Sequence, residues 1–132
     1  MKKILIQAGH AGRTTGATGS PNERDFNIDI ANKVKVELDK RGFETRVVNA
    51  DPKPEEIAGD WDLFLSVHYD ADIYGTGGGF VDFPEPSTDG ATEQSQRIAY
   101  LLRQEYFGTT GIVNHPERAN KNTKYYYMWK RI

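Results

Sequence analysis

At 132 residues the chain is long enough for one domain with a hydrophobic core of its own. An apolar fraction of 37%, a charged fraction of 27% and a formal charge of -2 are those of an ordinary soluble protein, and give no reason to expect nucleic acid or an anionic membrane as partner. Cysteine is absent, which excludes disulfides and thiolate sites, so any metal must be held by imidazole, carboxylate or water.

No apolar run approaches the roughly 18 residues that mark a membrane-spanning helix. Met1-Lys2-Lys3 has the charge of a signal-peptide start, but the apolar run behind it meets Gln7 and His10 at once. The reading is a first strand, in a chain made in the cytoplasm without an export signal. Residues 2–8 form that strand, buried because Ile4, Leu5 and Ile6 are continuous and Gly9 ends them. A long loop follows, with Gly12, Gly16, Gly19, Ser20 and Pro21. Asn22 is the expected N-cap of the first long helix, with Asp25 in an imperfect capping box. Phe26, Ile30, Ala31, Val34 and Leu38 share one face of that helix, and Gly42 closes it. Glu23 then sits in the first turn, directed back towards the loop.

Phe43 to Val48 reads as a second strand, stopped by Asp51-Pro52-Lys53-Pro54. Pro54 to Ala58 has room for little more than one helical turn. Asp62 to His68 is again strongly apolar, and its continuous character predicts a central strand covered on both faces. Tyr69 to Gly79 is a loop, and Phe80 to Phe83 a short strand cut by Pro84 and Pro86. Ser87 or Thr88 is the expected cap of a second long helix, with Ala91, Ile98, Leu101, Leu102 and Tyr106 on its apolar side and Gly108 at its end. Beyond it, Ile112-Val113 reads as a strand fragment, Asn114 to Thr123 as a polar loop, and Tyr125 to Trp129 as an aromatic strand. The alternation of strands and helices predicts an α/β fold: a mostly parallel central sheet with helices on both faces and the active site at the strand C-terminal edge.

His10, Glu23 and His68 all fall at that edge. Two imidazoles and one carboxylate with an open fourth position is the donor set of catalytic zinc sites, where bound water loses a proton near neutrality. Each residue also has a plainer reading: a loop histidine bonded to backbone, an acid favourably placed at a helix N-terminus, and a strand surfacing at its end. Their shared location favours the joint reading.

Three segments carry a resemblance: Ile4 to Gly12, Asn22-Glu23 with Asn27 and Ile30-Ala31, and Asp62 to His68. Together they resemble the zinc-dependent N-acetylmuramoyl-L-alanine amidases, and more narrowly the type-3 amidase domain of bacterial autolysins and phage endolysins. The Gly77-Gly78-Gly79-Phe80 run also resembles the family's glycine-rich approach to its next strand. The resemblance implies one zinc ion held by His10, Glu23 and His68. It implies hydrolysis of the amide joining the lactyl group of N-acetylmuramic acid to the L-alanine of the stem peptide. Peptidoglycan would be the partner, with neither nucleic acid nor membrane involved.

The chain departs from the family pattern in three places. Tyr69-Asp70 stands where the family commonly has Ala-Asn after the histidine strand. The stretch from Asp51 to Trp61 is shorter than in many members, a trimming compatible with phage enzymes. The family also ends on a strand finishing in a catalytic glutamate, and nothing before Ile132 matches it. The expectation is therefore an amidase-like catalytic domain over 1–132 that lacks its C-terminal strand, with the acid beyond Ile132 and an open sheet edge through which copies could self-associate.

Within the chain, Asp70 is the one nearby substitute for that acid. Glu117 reads as a solvated loop charge, and Glu105 lies on the second helix away from the site. Arg13 borders His10 and could meet a stem-peptide carboxylate, or simply face solvent. His115 reads as a loop residue, because a fourth ligand would close the position water needs. Tyr125, Tyr126, Tyr127 and Trp129 read as core and sheet packing. The alternatives are a catalytically impaired metal- or peptidoglycan-binding domain of the same fold, and a zinc peptidase of similar fold. A nucleotide-binding module is disfavoured, since the loop lacks both phosphate-binding glycine patterns. The expected setting is the cell wall, after phage-mediated release.

Overall fold

The computed structural model describes residues 1–14, 16, 22–69, 77–81 and 93–116. The chain divides into two compact units, residues 1–71 and 72–132. The first holds β1 (Lys3–Ala8), α1 (Glu23–Lys40), β2 (Glu44–Val48), a one-turn α2 (Pro54–Ile57) and β3 (Leu63–Val67). The second holds α3 (Glu93–Thr110).

β1, β2 and β3 form a parallel sheet in the order β2-β1-β3. β1 is therefore central, and Leu5, Ile6 and Ala8 are fully buried. Among the described strands β3 lies beside β1, and its side chains are half-buried or exposed. Both strands have the same continuous apolar run. What separates them is pairing, since β1 takes partners on both sides while β3 pairs with β1 alone among the described strands.

Successive strand residues point to opposite faces, and β2 shows what covers each. The Thr45 side chain bonds Asp39 and Lys35 of α1. Arg46, one residue on, donates to the Glu56 carbonyl of α2 at 2.7 Å and lies 5.2 Å from the centre of the Trp61 ring. The sheet thus carries a helix on each face, as the alternation of elements predicts. On the α1 side, Ile4, Ile6 and Ala8 pack with Ala11 and Ala31, and Val34, Leu38, Phe43, Val47, Leu63 and Val67 complete the core. On the other side, Gln7 crosses the sheet. Its amide donates to the Ala50 carbonyl at 3.0 Å, and its carbonyl accepts from the Ser66 hydroxyl at 2.9 Å.

The ends of α1 follow the sequence. Asn22 caps it by accepting from the Arg24 N–H at 3.1 Å. Gly42, at φ 85, takes the left-handed position that closes it. α3 differs from expectation at its end and on its face. The helix runs through Gly108 to Thr110, and Gly111, at φ 70, supplies the left-handed residue that stops it. Leu101, Leu102 and Tyr106, expected on the inner face, are 50%, 38% and 49% exposed, whereas Ala99 is buried. Arg103, one turn on from Ala99, donates to the Val81 carbonyl at 2.9 Å. The inward face therefore follows Ala99 and Arg103, and the leucine pair turns away.

In the second unit Gly79 bridges in parallel to Asn114, the one trace among the described residues of the two short strands expected near Phe80 and Ile112. The proposed caps Ser87 and Thr88, and the aromatic segment from Tyr125 to Trp129, lie outside the described residues. No helix among those described is long and apolar enough to cross a membrane.

Candidate metal centre

β1 ends at Ala8, and Gly9 donates its N–H to the Val67 carbonyl at 2.9 Å, continuing the sheet by one bond. His10 then turns away with φ 57, a left-handed backbone that is uncommon for a residue with a side chain. The loop is braced behind it. Ala50 donates to the Ala11 carbonyl at 3.0 Å, and Arg24 donates to the Arg13 carbonyl at 2.7 Å. The Arg13 guanidinium makes a two-pronged pair with Asp51. Arg13 thus fastens the His10 loop to the end of β2.

Glu23, in the first turn of α1, reaches under this loop and is 2% exposed. His68 follows β3 on the same rim. Glu23 Oε1 lies 3.8 Å from His10 Nε2 and 3.2 Å from His68 Nδ1. The two imidazole rings meet edge to face, 5.3 Å between centres. Donor atoms of the three residues all lie within 4.8 Å of one another, and among the described residues they form the one such group. The Tyr69 N–H donates to the same carboxylate oxygen at 3.3 Å, and the Asn27 side-chain amide does so at 3.4 Å.

Two glycines make room for this arrangement. A Cβ on Gly9 would stand 2.6 Å from His68 Nε2, well inside contact distance. One on Gly16 would stand 3.0 Å from His10 Cγ and 3.2 Å from Glu23 Oε2. The close approach of backbone to imidazole is what these positions require.

Residues 4–131 match the family described as N-acetylmuramoyl-L-alanine amidase. The chain belongs to that family. It is also 30% identical over 129 residues to an endolysin of Bacillus phage SPP1, covering 89% of this chain and 47% of that protein. The chain thus spans about half the length of the curated relative it matches. Among solved structures, the CwlD amidase from Clostridioides difficile, determined in complex with the GerS lipoprotein, aligns with a TM-score of 0.63 at 21% identity, over 91% of this chain and 74% of that one. That likeness concerns the fold.

In this member of the family the donor set suits a metal ion. Tetrahedral coordination at 2.0–2.1 Å separates neighbouring donors by about 3.3 Å, and the observed 3.2 and 3.8 Å lie on either side of that value. Two imidazoles with one carboxylate favour a first-row transition metal over calcium or magnesium, which prefer all-oxygen shells. The carboxylate is 2% exposed, and a cation bound beside it would offset part of its lost hydration. His10, at 25% exposure, and His68, at 37%, border solvent while Glu23 forms the floor, so the group is open on the imidazole side.

The other sequence candidates fall elsewhere. Asp70 and Glu117 lie outside the described residues. Glu105 is an exposed residue of α3. His115 packs its ring over Gly78 and donates its backbone N–H to the Gly79 carbonyl at 2.7 Å, within the second unit. Sequence reading missed the supporting contacts from Asn27, Gly9, Gly16 and the Tyr69 N–H. Only Asn27 left a usable signal: a polar residue four positions after Glu23, between Phe26 and Ile30 on an otherwise apolar face.

Proposed function

We propose that the chain is a zinc-dependent hydrolase that cleaves the amide between N-acetylmuramic acid and L-alanine in peptidoglycan. The observation that carries this reading is the convergence of His10, Glu23 and His68 on one point in a member of the amidase family. A zinc ion held by His10, Glu23 and His68 would supply Lewis acidity, enough to activate water near neutral pH and to polarise the amide carbonyl.

The chain's own residues account for the rest. Glu23 and the two histidines would hold the metal from below and from the sides. The exposed imidazole edges would leave a face on which an extended substrate can lie. The loop brace through Arg13 and Asp51 keeps His10 in its left-handed conformation before substrate arrives, so no ordering is required at the moment of reaction. The departing amine must leave protonated, which requires an acid within reach of the scissile nitrogen. Asp70, two residues beyond His68, is the candidate for that role within this chain. The likeness to a phage endolysin supports release at lysis as the setting.

The test is release of stem peptides bearing a free N-terminal L-alanine from purified wall, by zinc-loaded protein with and without chelator. Chelator-sensitive release, lost in His10→Ala and His68→Ala, is expected. Zinc binding without release would point instead to the wall-binding alternative, and cleavage within free stem peptides to a peptidase. Asp70→Asn, assayed alongside, should cut turnover while leaving zinc binding intact if Asp70 is the acid.

A further inference from the structure

Asn27 makes a contact to the metal group that the reaction outlined above does not use. It is fully buried on α1, one turn after Glu23. Asparagine is a poor helix residue and its amide is costly to bury, so compensating bonds are required. They come from one atom. Nδ2 donates to the Gly9 carbonyl at 2.9 Å and to Glu23 Oε1 at 3.4 Å. One nitrogen therefore spans the backbone immediately before His10 and the carboxylate of Glu23. The amide oxygen, Oδ1, is buried with no hydrogen-bond partner. Turning the amide over would set that oxygen against two acceptors, the Gly9 carbonyl and the Glu23 carboxylate. The orientation is thus dictated by those two groups at the expense of Oδ1.

We propose that Asn27 is a positioning residue of the metal centre: anchored on the Gly9 carbonyl, its amide fixes the Glu23 carboxylate in the orientation that binds metal, and so sets metal affinity. This rests on His10, Glu23 and His68 being the metal ligands. A bond from outside the coordination shell orients a ligand and removes rotamers it would otherwise sample, and its loss typically lowers metal affinity about 10–100-fold.

The experiment measures zinc affinity by chelator competition in four forms of this chain: wild type, Asn27→Leu, Glu23→Ala and the double variant. Asn27→Leu should weaken zinc binding by about 10–100-fold. In the Glu23→Ala background the same substitution should change affinity by less than about threefold, because the carboxylate it positions is gone. Unchanged affinity in folded Asn27→Leu, or an equal loss in both backgrounds, overturns the proposal. Should Asn27→Leu not fold, the wild type still decides. On titration with zinc, the Asn27 side-chain amide resonances should shift in step with the ring resonances of His10 and His68, and resonances that stay still overturn the proposal. If the wild type binds no zinc, or Glu23→Ala binds it as well as wild type, the metal reading itself fails. Tight wild-type binding that Asn27→Leu leaves intact removes only the role of Asn27.

Discussion

Glu23 Oε1 lies 3.2 Å from His68 Nδ1, across 45 residues of chain. The pair joins the start of α1 to the end of β3, and it does so at a carboxylate that is 2% exposed. A buried charge of this kind costs stability when no metal is bound. Glu23→Gln keeps an acceptor for the Tyr69 and Asn27 donors and removes the charge. With chelator present, at pH 8, the variant is expected to resist urea at least as well as wild type. Its zinc affinity should fall by more than about 100-fold, beyond the loss expected for a residue outside the coordination shell. Urea midpoints and zinc titrations on the same samples check both halves. A metal-free variant less stable by more than about 1 kcal/mol would make the carboxylate structural instead.

Zinc should stabilise the fold through the same three residues. Free zinc at 100 times the dissociation constant adds about 2.7 kcal/mol, and chelator should reverse it. His68→Ala takes a partner from the buried Glu23 carboxylate, so metal-free stability is expected to fall by about 1–3 kcal/mol. The variant should lose the zinc-induced rise in urea midpoint. A rise that survives in His68→Ala would place the metal elsewhere.

Gly9→Ala tests the packing under His68 without disturbing the backbone, because Gly9 is not among the residues with positive φ. The added methyl would stand 2.6 Å from His68 Nε2, so the ring has to move. A displacement on the order of 1 Å in a reacting constellation costs roughly 100-fold in rate. Stem-peptide release should fall by that order while the far-UV spectrum stays unchanged. Full activity in Gly9→Ala would show that His68 can shift without consequence.

These residues also show what the sequence could disclose. His10, Glu23 and His68 were legible because strand ends and a helix start are marked locally, by Gly9, Asn22 and the apolar runs before them. Their convergence followed from the rule that parallel strands place their carboxyl ends at one rim. The order of strands was not legible. Ile4-Leu5-Ile6 and Leu63-Phe64-Leu65 look alike, and only pairing, a property of the whole sheet, makes β1 central. The inner face of α3 was misread for a related reason. Leu101 and Leu102 are more apolar than Arg103, yet Arg103 turns inward because its guanidinium finds the Val81 carbonyl. Periodicity counts hydrophobicity and does not register such a bond. Asn27 carried a signal in its position, but the carbonyl it bonds lies 18 residues away on another element.

Gln7 links β1 to Ser66 of β3 and to Ala50, two residues beyond β2, and should be sensitive to loss of either partner. Ser66→Ala removes the donor to the Gln7 carbonyl, and Gln7→Leu removes both bonds of the relay, leaving the Ser66 hydroxyl without this acceptor. Each substitution should cost about 1–3 kcal/mol in chemical denaturation, the penalty of an unsatisfied buried polar group. Because both act on one relay, the double variant should lose less than the sum of the singles. Additive losses would show that the two bonds are independent.

Acid should weaken the fold partly through Asp62. The hydrogen bond from the Lys2 ammonium, and then that from the Lys3 backbone N–H, hold its carboxyl below the usual aspartate range. A carboxylate whose folded value is depressed contributes stability that is fully present above its unfolded value, about 3.9. That contribution is lost as pH falls through the lower folded value. Asp39 behaves in the same direction, through Lys35 first and Thr45 second. Asp62→Asn removes one titrating group while keeping an acceptor for the Lys3 N–H. The slope of stability against pH between about 4 and 2 reports the protons taken up on unfolding, and it should be shallower in Asp62→Asn than in wild type. Both groups are exposed, so salt should reduce the difference. Urea midpoints across that range, at low and at high ionic strength, give the comparison. Equal slopes in the two proteins would mean that the Lys2–Asp62 pair does not persist in solution.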